Sequence, residues 1–67
     1  MVKIILNGKE KMIEEEKNIY QFLESVHIDT QRTVIKLNDI ILGKSRYSST
    51  ILKDGDRIDV IPVMGGG

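Results

Sequence analysis

Ile19, Phe22, Leu23 and Val26 stand at i, i+3, i+4 and i+7, the spacing that gathers apolar side chains into one stripe of an α-helix. Asn18 precedes the stripe and is a good N-cap. Gln21, three residues on, completes a capping box with it. The run Glu14-Glu15-Glu16-Lys17 just before is a solvated charge cluster, and it sets negative charge where the helix dipole favours it. The only Phe of the chain lies in this stripe, which makes it a core residue rather than a platform for a ligand. A single amphipathic helix must bury its stripe against something, and the rest of the chain reads as strands.

Val2–Leu6 is short and rich in β-branched residues. Asn7-Gly8 comes next, the pair favoured in a two-residue hairpin turn with positive φ at both positions. Residues 10–14 read as the returning strand, with Ile13 inward. Thr33–Leu37 reads as a third strand with Ile35 and Leu37 inward. Asn38-Asp39 is a turn, and Ile40–Leu42 a short fourth strand. The polar stretch 43–50 reads as loop with a 3₁₀ turn, anchored by Tyr47. Arg57–Val63 is the last strand, with Ile58 and Val60 inward. Pro62 has no N–H, so pairing is expected to weaken there and release the tail.

A strand with one solvated face alternates apolar and polar residues. Three strands here do not. Ile5 opposes Ile4 and Leu6, Val34 opposes Ile35, and Ile61 and Val63 oppose Ile58 and Val60. Ile5, Val34, Ile61 and Val63 are therefore expected to cluster on the outer face as a docking patch, rimmed by Lys3, Lys36, Arg57 and Asp59.

Acid, base and metal chemistry find little here. His27 is the only histidine, and the chain has no Cys, so an ordinary metal site cannot be composed. Asp54-Gly55-Asp56 is first a turn signature. No residue is assigned a catalytic or metal-binding role. Basic residues are scattered, and ten Lys and Arg balance ten Asp and Glu, which argues against a nucleic-acid footprint. No run approaches the ~20 apolar residues of a membrane span. The first apolar run is too short for a signal-peptide core. The reading is a soluble, cytoplasmic domain.

The chain ends in Met64-Gly65-Gly66-Gly67. Glycine pays the largest entropy on ordering, so this run does not build a packed element. Four extended residues reach roughly 13 Å, and without Cβ atoms they fit a narrow channel. The expected organisation is one domain over 1–63 and a flexible tail over 64–67.

The order β-β-α-β-β-β with one helix implies an α+β β-grasp, or ubiquitin-like, fold. It would be a mixed sheet of four to five strands with the helix across one face, the first and last strands parallel at the centre. Asn7 after the first strand, Leu23 in the helix, Leu37-Asn38, Leu52-Lys53-Asp54-Gly55-Asp56-Arg57-Ile58 and the terminal Gly66-Gly67 carry a resemblance. Together they resemble the ubiquitin-like sulfur carrier family, nearest its thiamine-biosynthesis (ThiS-type) branch. The molybdopterin-synthase (MoaD-like) branch is the close competitor. Its members carry Phe-Pro-Pro before the tail, where this chain has Ile61-Pro62-Val63.

The resemblance implies a protein co-substrate rather than an enzyme. Gly67 would be adenylated at its carboxylate by a ThiF-like adenylyltransferase using ATP. Sulfur from a persulfide donor would then leave a C-terminal thiocarboxylate for an acceptor, thiazole synthase in the thiamine case. Met64, Gly65 and Gly66 would thread the partner's channel, and no cofactor would be bound by the carrier itself. A protein modifier joined through Gly67 to a Lys, or a plain binding module, uses the same fold and stays open.

Overall fold

The structure, a computed structural model, describes residues 1–63. The expected tail, Met64 to Gly67, lies outside the described residues. β1 (Val2–Leu6) turns at Asn7-Gly8 into β2 (Lys9–Ile13). Both turn residues have positive φ, 50° and 84°, as a type I′ hairpin requires. The two-residue turn pairs Leu6 with Lys9, so β2 starts one residue before the expected 10–14. After it come α1 (Ile19–Ser25), a 3₁₀ turn over Thr30–Arg32, β3 (Thr33–Leu37) and β4 (Ile40–Leu42). A longer 3₁₀ helix (Lys44–Ser49) leads to β5 (Arg57–Pro62). The sheet order is β2-β1-β5-β3-β4, with β1 and β5 parallel and the other pairs antiparallel. This is the β-grasp arrangement, with five strands.

At seven residues α1 is too short to hold itself. Its ends are therefore closed by side chain and backbone. Gln21 N–H donates to Asn18 Oδ1 at 2.7 Å, and Asn18 N–H donates to Gln21 Oε1 at 3.1 Å. At the far end His27 takes a left-handed φ of 60°. The Ile28 N–H then reaches Leu23 O (2.9 Å) and the His27 N–H reaches Glu24 O (3.1 Å), a Schellman closure.

The core lies between α1 and one face of the sheet. Val2, Ile4, Ile13, Ile35 and Ile58 point in from the strands, and Ile19, Phe22 and Leu23 from the helix. Tyr47 anchors the long 3₁₀ helix as expected. Leu52, which lies in no strand, is also fully buried. Residues 50–52 run antiparallel to the start of the helix, with Ile19 N–H on Thr50 O and Leu52 N–H on Lys17 O, both 2.9 Å. That bridge turns Leu52 in and Ile51 out.

Candidate functional site

The site is built where β5 ends. Odd-numbered residues of β5 bond towards β3: Arg57 O accepts the Asn38 N–H at 2.8 Å, and the Val63 N–H donates to Arg32 O at 2.8 Å. Even-numbered ones bond towards β1: Ile58 O accepts the Asn7 N–H at 3.0 Å, and the Val60 N–H donates to Asn7 Oδ1 at 2.8 Å. Pro62 is even, so its missing N–H faces the side where β1 has already turned away. The proline therefore costs no ladder bond. The expectation that pairing weakens at Pro62 is corrected: Pro62 pairs with Thr33, and the chain is held through Val63. The last described residue is thus fixed at the rim of the sheet.

The outer face carries the residues that broke the alternation. Val34 and Ile61 are direct cross-strand partners, and Val63 lies two residues beyond Ile61 on the same face. Ile61 is 41% and Val63 50% exposed, while Val34 is half-buried between neighbours. Lys36 and Asp59 pair on the same face beside them. Ile5 shares the face but stands apart. It pairs with Arg57 and Glu10, so it lies about four residues, roughly 13 Å, along the strand direction from Ile61. Lys3 is on that distant part too, in an ion pair with Glu10 at 3.8 Å. The structure therefore brings together Val34, Ile61 and Val63, and leaves Ile5 outside the group.

Ile41 is an apolar residue of this face that the sequence pattern did not single out. It is 64% exposed and sits opposite Lys36. A signal was present: Ile40 and Ile41 are consecutive in a strand, so both cannot face the core.

The acidic residues of the 54–56 turn are used structurally. Asp54 Oδ1 accepts the Lys3 N–H (2.8 Å), and Asp56 Oδ2 accepts the Lys53 N–H (2.8 Å). Asp56 Oδ1 also accepts from Asn38 Nδ2 at 3.2 Å. His27 is exposed at the helix end. Among the described residues no group of three or more His, Cys, Asp or Glu could hold a metal ion. No helix among them is long and apolar enough to cross a membrane. Gly67, Met64, Gly65 and Gly66, the residues expected to carry sulfur and thread a channel, lie outside the described residues.

Known proteins share this architecture. The ThiS family model matches residues 4–67. The chain is 33% identical over 63 residues to the sulfur carrier protein ThiS of Bacillus subtilis, covering 92% of this chain and 96% of that one. It is 26% identical over 66 residues to a thiazole synthase of Paramagnetospirillum magneticum, covering 98% of this chain but only 20% of that protein's length. Among solved structures, the thiamine biosynthesis protein ThiS of Geobacter metallireducens superimposes with a TM-score of 0.88 at 26% identity, covering 98% of this chain and 100% of that one.

Proposed function

We propose a chemistry for this chain from one premise: it belongs to the ThiS family, whose model spans its residues 4–67. In this reading the chain carries sulfur on Gly67. A carboxylate of ordinary pKa, ~3.3–3.7, is ionised at neutral pH and is a poor electrophile. A ThiF-like adenylyltransferase therefore activates it: a Gly67 carboxylate oxygen attacks the α-phosphorus of ATP and pyrophosphate leaves. The outer sulfur of a persulfide then attacks the acyl carbon and AMP leaves. Cleavage of the resulting S–S bond by a thiol releases the thiocarboxylate, which passes its sulfur to thiazole synthase. The carrier is a co-substrate throughout and contributes no acid, base or metal.

The observation that supports this most directly is that the family match runs through Gly67 itself. The geometry agrees with it. β5 is bonded as far as Val63, so Met64, Gly65 and Gly66 would span the distance from a fixed sheet rim into a partner's channel. Val34, Ile61 and Val63 would dock the activating and acceptor enzymes beside that channel, with Lys36 and Asp59 as rim and Ile5 as an outlying contact. The match to a thiazole synthase supports the choice of acceptor.

Intact mass of the protein purified from its own cells tests the reading. The expected result is a population heavier by one oxygen-to-sulfur exchange, absent from a variant lacking Gly66 and Gly67. The same truncation should abolish pyrophosphate release by the activating enzyme while the fold melts normally. Undiminished release would overturn the proposal, and high-mass conjugates in place of the exchange would mark a protein modifier.

A further inference from the structure

The two edges of the sheet are built differently. β2 carries Lys9, Glu10 and Lys11, charges that discourage an incoming strand. β4 is Ile40-Ile41-Leu42, without a charge between Asp39 and Lys44. Ile40 is 71% and Ile41 64% exposed, more than any other large apolar residue within a described strand. They point to opposite faces, since Ile40 sits opposite Leu37 and Ile41 opposite Lys36. A body resting on either face of the sheet would cover only one of them. A strand added at the edge covers both.

The turn before β4 fixes which backbone groups that strand would meet. Asn38 and Asp39 have φ of 52° and 71°, a two-residue loop of the I′ kind. Such a loop closes on a hydrogen-bonded pair, here Leu37 with Ile40. By alternation Leu42 also bonds β3, and Ile41 turns its N–H and C=O to the open edge.

We propose that a second copy of this chain occupies this edge, with β4 antiparallel to its counterpart about a two-fold axis at Ile41. Ile41 then exchanges N–H···O=C bonds with Ile41 of the second copy. On the other face Ile40 falls opposite Leu42 of the second copy, so apolar meets apolar on both sides. Beyond them Asp39 falls opposite Gly43, with Lys44 next in the chain. Asp39 is ion-paired with Arg57 of its own chain, and Lys44, which has no ion pair among the described residues, would come beside that pair on the second copy. The formal charge of the chain is zero, so no net repulsion opposes the pairing. So short an edge buries much less than the ~1,200 Å² at which stable interfaces begin, and the dimer is therefore concentration-dependent. It leaves Val34, Ile61 and Val63 uncovered and does not depend on the proposed sulfur chemistry.

The absence of cysteine from the chain makes a register test available. Across the axis the two Ile41 Cα atoms would be about 5.5 Å apart. That is inside the ~4.4–6.8 Å span of a disulfide. The two Ile40 positions would be diagonal, ~7–8 Å apart. Under mild oxidation Ile41→Cys should form a covalent dimer roughly tenfold faster than Ile40→Cys, although Ile40 is the more exposed. In sedimentation the unmodified chain should gain mass with concentration, Ile41→Lys should stay monomeric, and Ile61→Asp should still associate. Equal cross-linking rates, a monomer at millimolar concentration, or loss of association in Ile61→Asp would each overturn the proposal.

Discussion

Asn7 Oδ1 accepts the Val60 N–H at 2.8 Å, tying the first turn to the last strand across 53 residues. The Asn7 N–H is itself spent on Ile58 O at 3.0 Å. Its side-chain oxygen thus takes the place of Asn7's own C=O, the group a regular parallel ladder would offer to Val60, and it extends the β1–β5 ladder by one bond. Asn is suited to this because it also tolerates the φ of 50° that the turn demands.

Two substitutions separate these roles. Asn7→Gly keeps the backbone freedom and loses the side-chain bond, and should cost about 1 kcal/mol. Asn7→Ala adds the left-handed strain and should cost ~1–2 kcal/mol more. Urea melts of the two variants give the difference. Equal losses would mean that the turn conformation contributes nothing.

His27 is the residue of the helix closure that a Gly would fill more cheaply. Its φ of 60° is held by the two bonds that finish α1. His27→Gly should therefore stabilise the fold by about 1 kcal/mol. It should leave pyrophosphate release with the activating enzyme unchanged, since no proton transfer is assigned to the imidazole. A loss of release without a loss of stability would give this histidine a role in the chemistry.

The sequence showed the helix, its capping box and both two-residue hairpins because each depends on neighbours within a few positions. It showed which face the residues of β1, β3 and β5 take, because parity is local, but the sequence pattern assigned no face within β4. It did not show how far Ile5 stands from Ile61. Parity sets the face, but the stagger of β1 against β5 is set by the whole crossover between them. Leu52 escaped for the same reason: Ile51 and Leu52 look alike in sequence, and only the bridge to the helix start decides which one is buried. Pro62 misled because a missing N–H matters only on the side where a partner strand waits.

Tyr47 makes stability depend on alkaline pH. Burial pushes its phenol above the ordinary 10.0, and a backbone contact with Ile35 pulls partly back. The unfolded chain therefore loses this proton first as pH rises. The contribution is complete below the unfolded pKa and is lost as pH climbs from about 10 towards the raised folded value. Denaturant midpoints should fall over that window, and Tyr47→Phe should flatten the fall relative to the parent chain. An identical pH slope in the two proteins would place the phenol in water.

Docking on the outer face can be separated from folding at Ile61. The residue is 41% exposed, stands opposite Val34 across the β3–β5 pair and is not part of the core cluster. Placing a carboxylate there breaks no core contact, so Ile61→Asp should shift the melting temperature little, within the ±0.5 kcal/mol usual for surface positions. In the docked complex the same carboxylate would be forced out of water against apolar surface without a partner, at a cost of several kcal/mol. Calorimetric titration against the activating enzyme should therefore show at least a roughly tenfold weaker Kd, the equivalent of ~1.4 kcal/mol. Ile5→Asp, roughly 13 Å away along the strands, should weaken it less. Equal losses at the two positions would extend the docking surface over the whole open face. Unchanged affinity at Ile61 would remove the patch from the mechanism and leave recognition to the four residues beyond Val63.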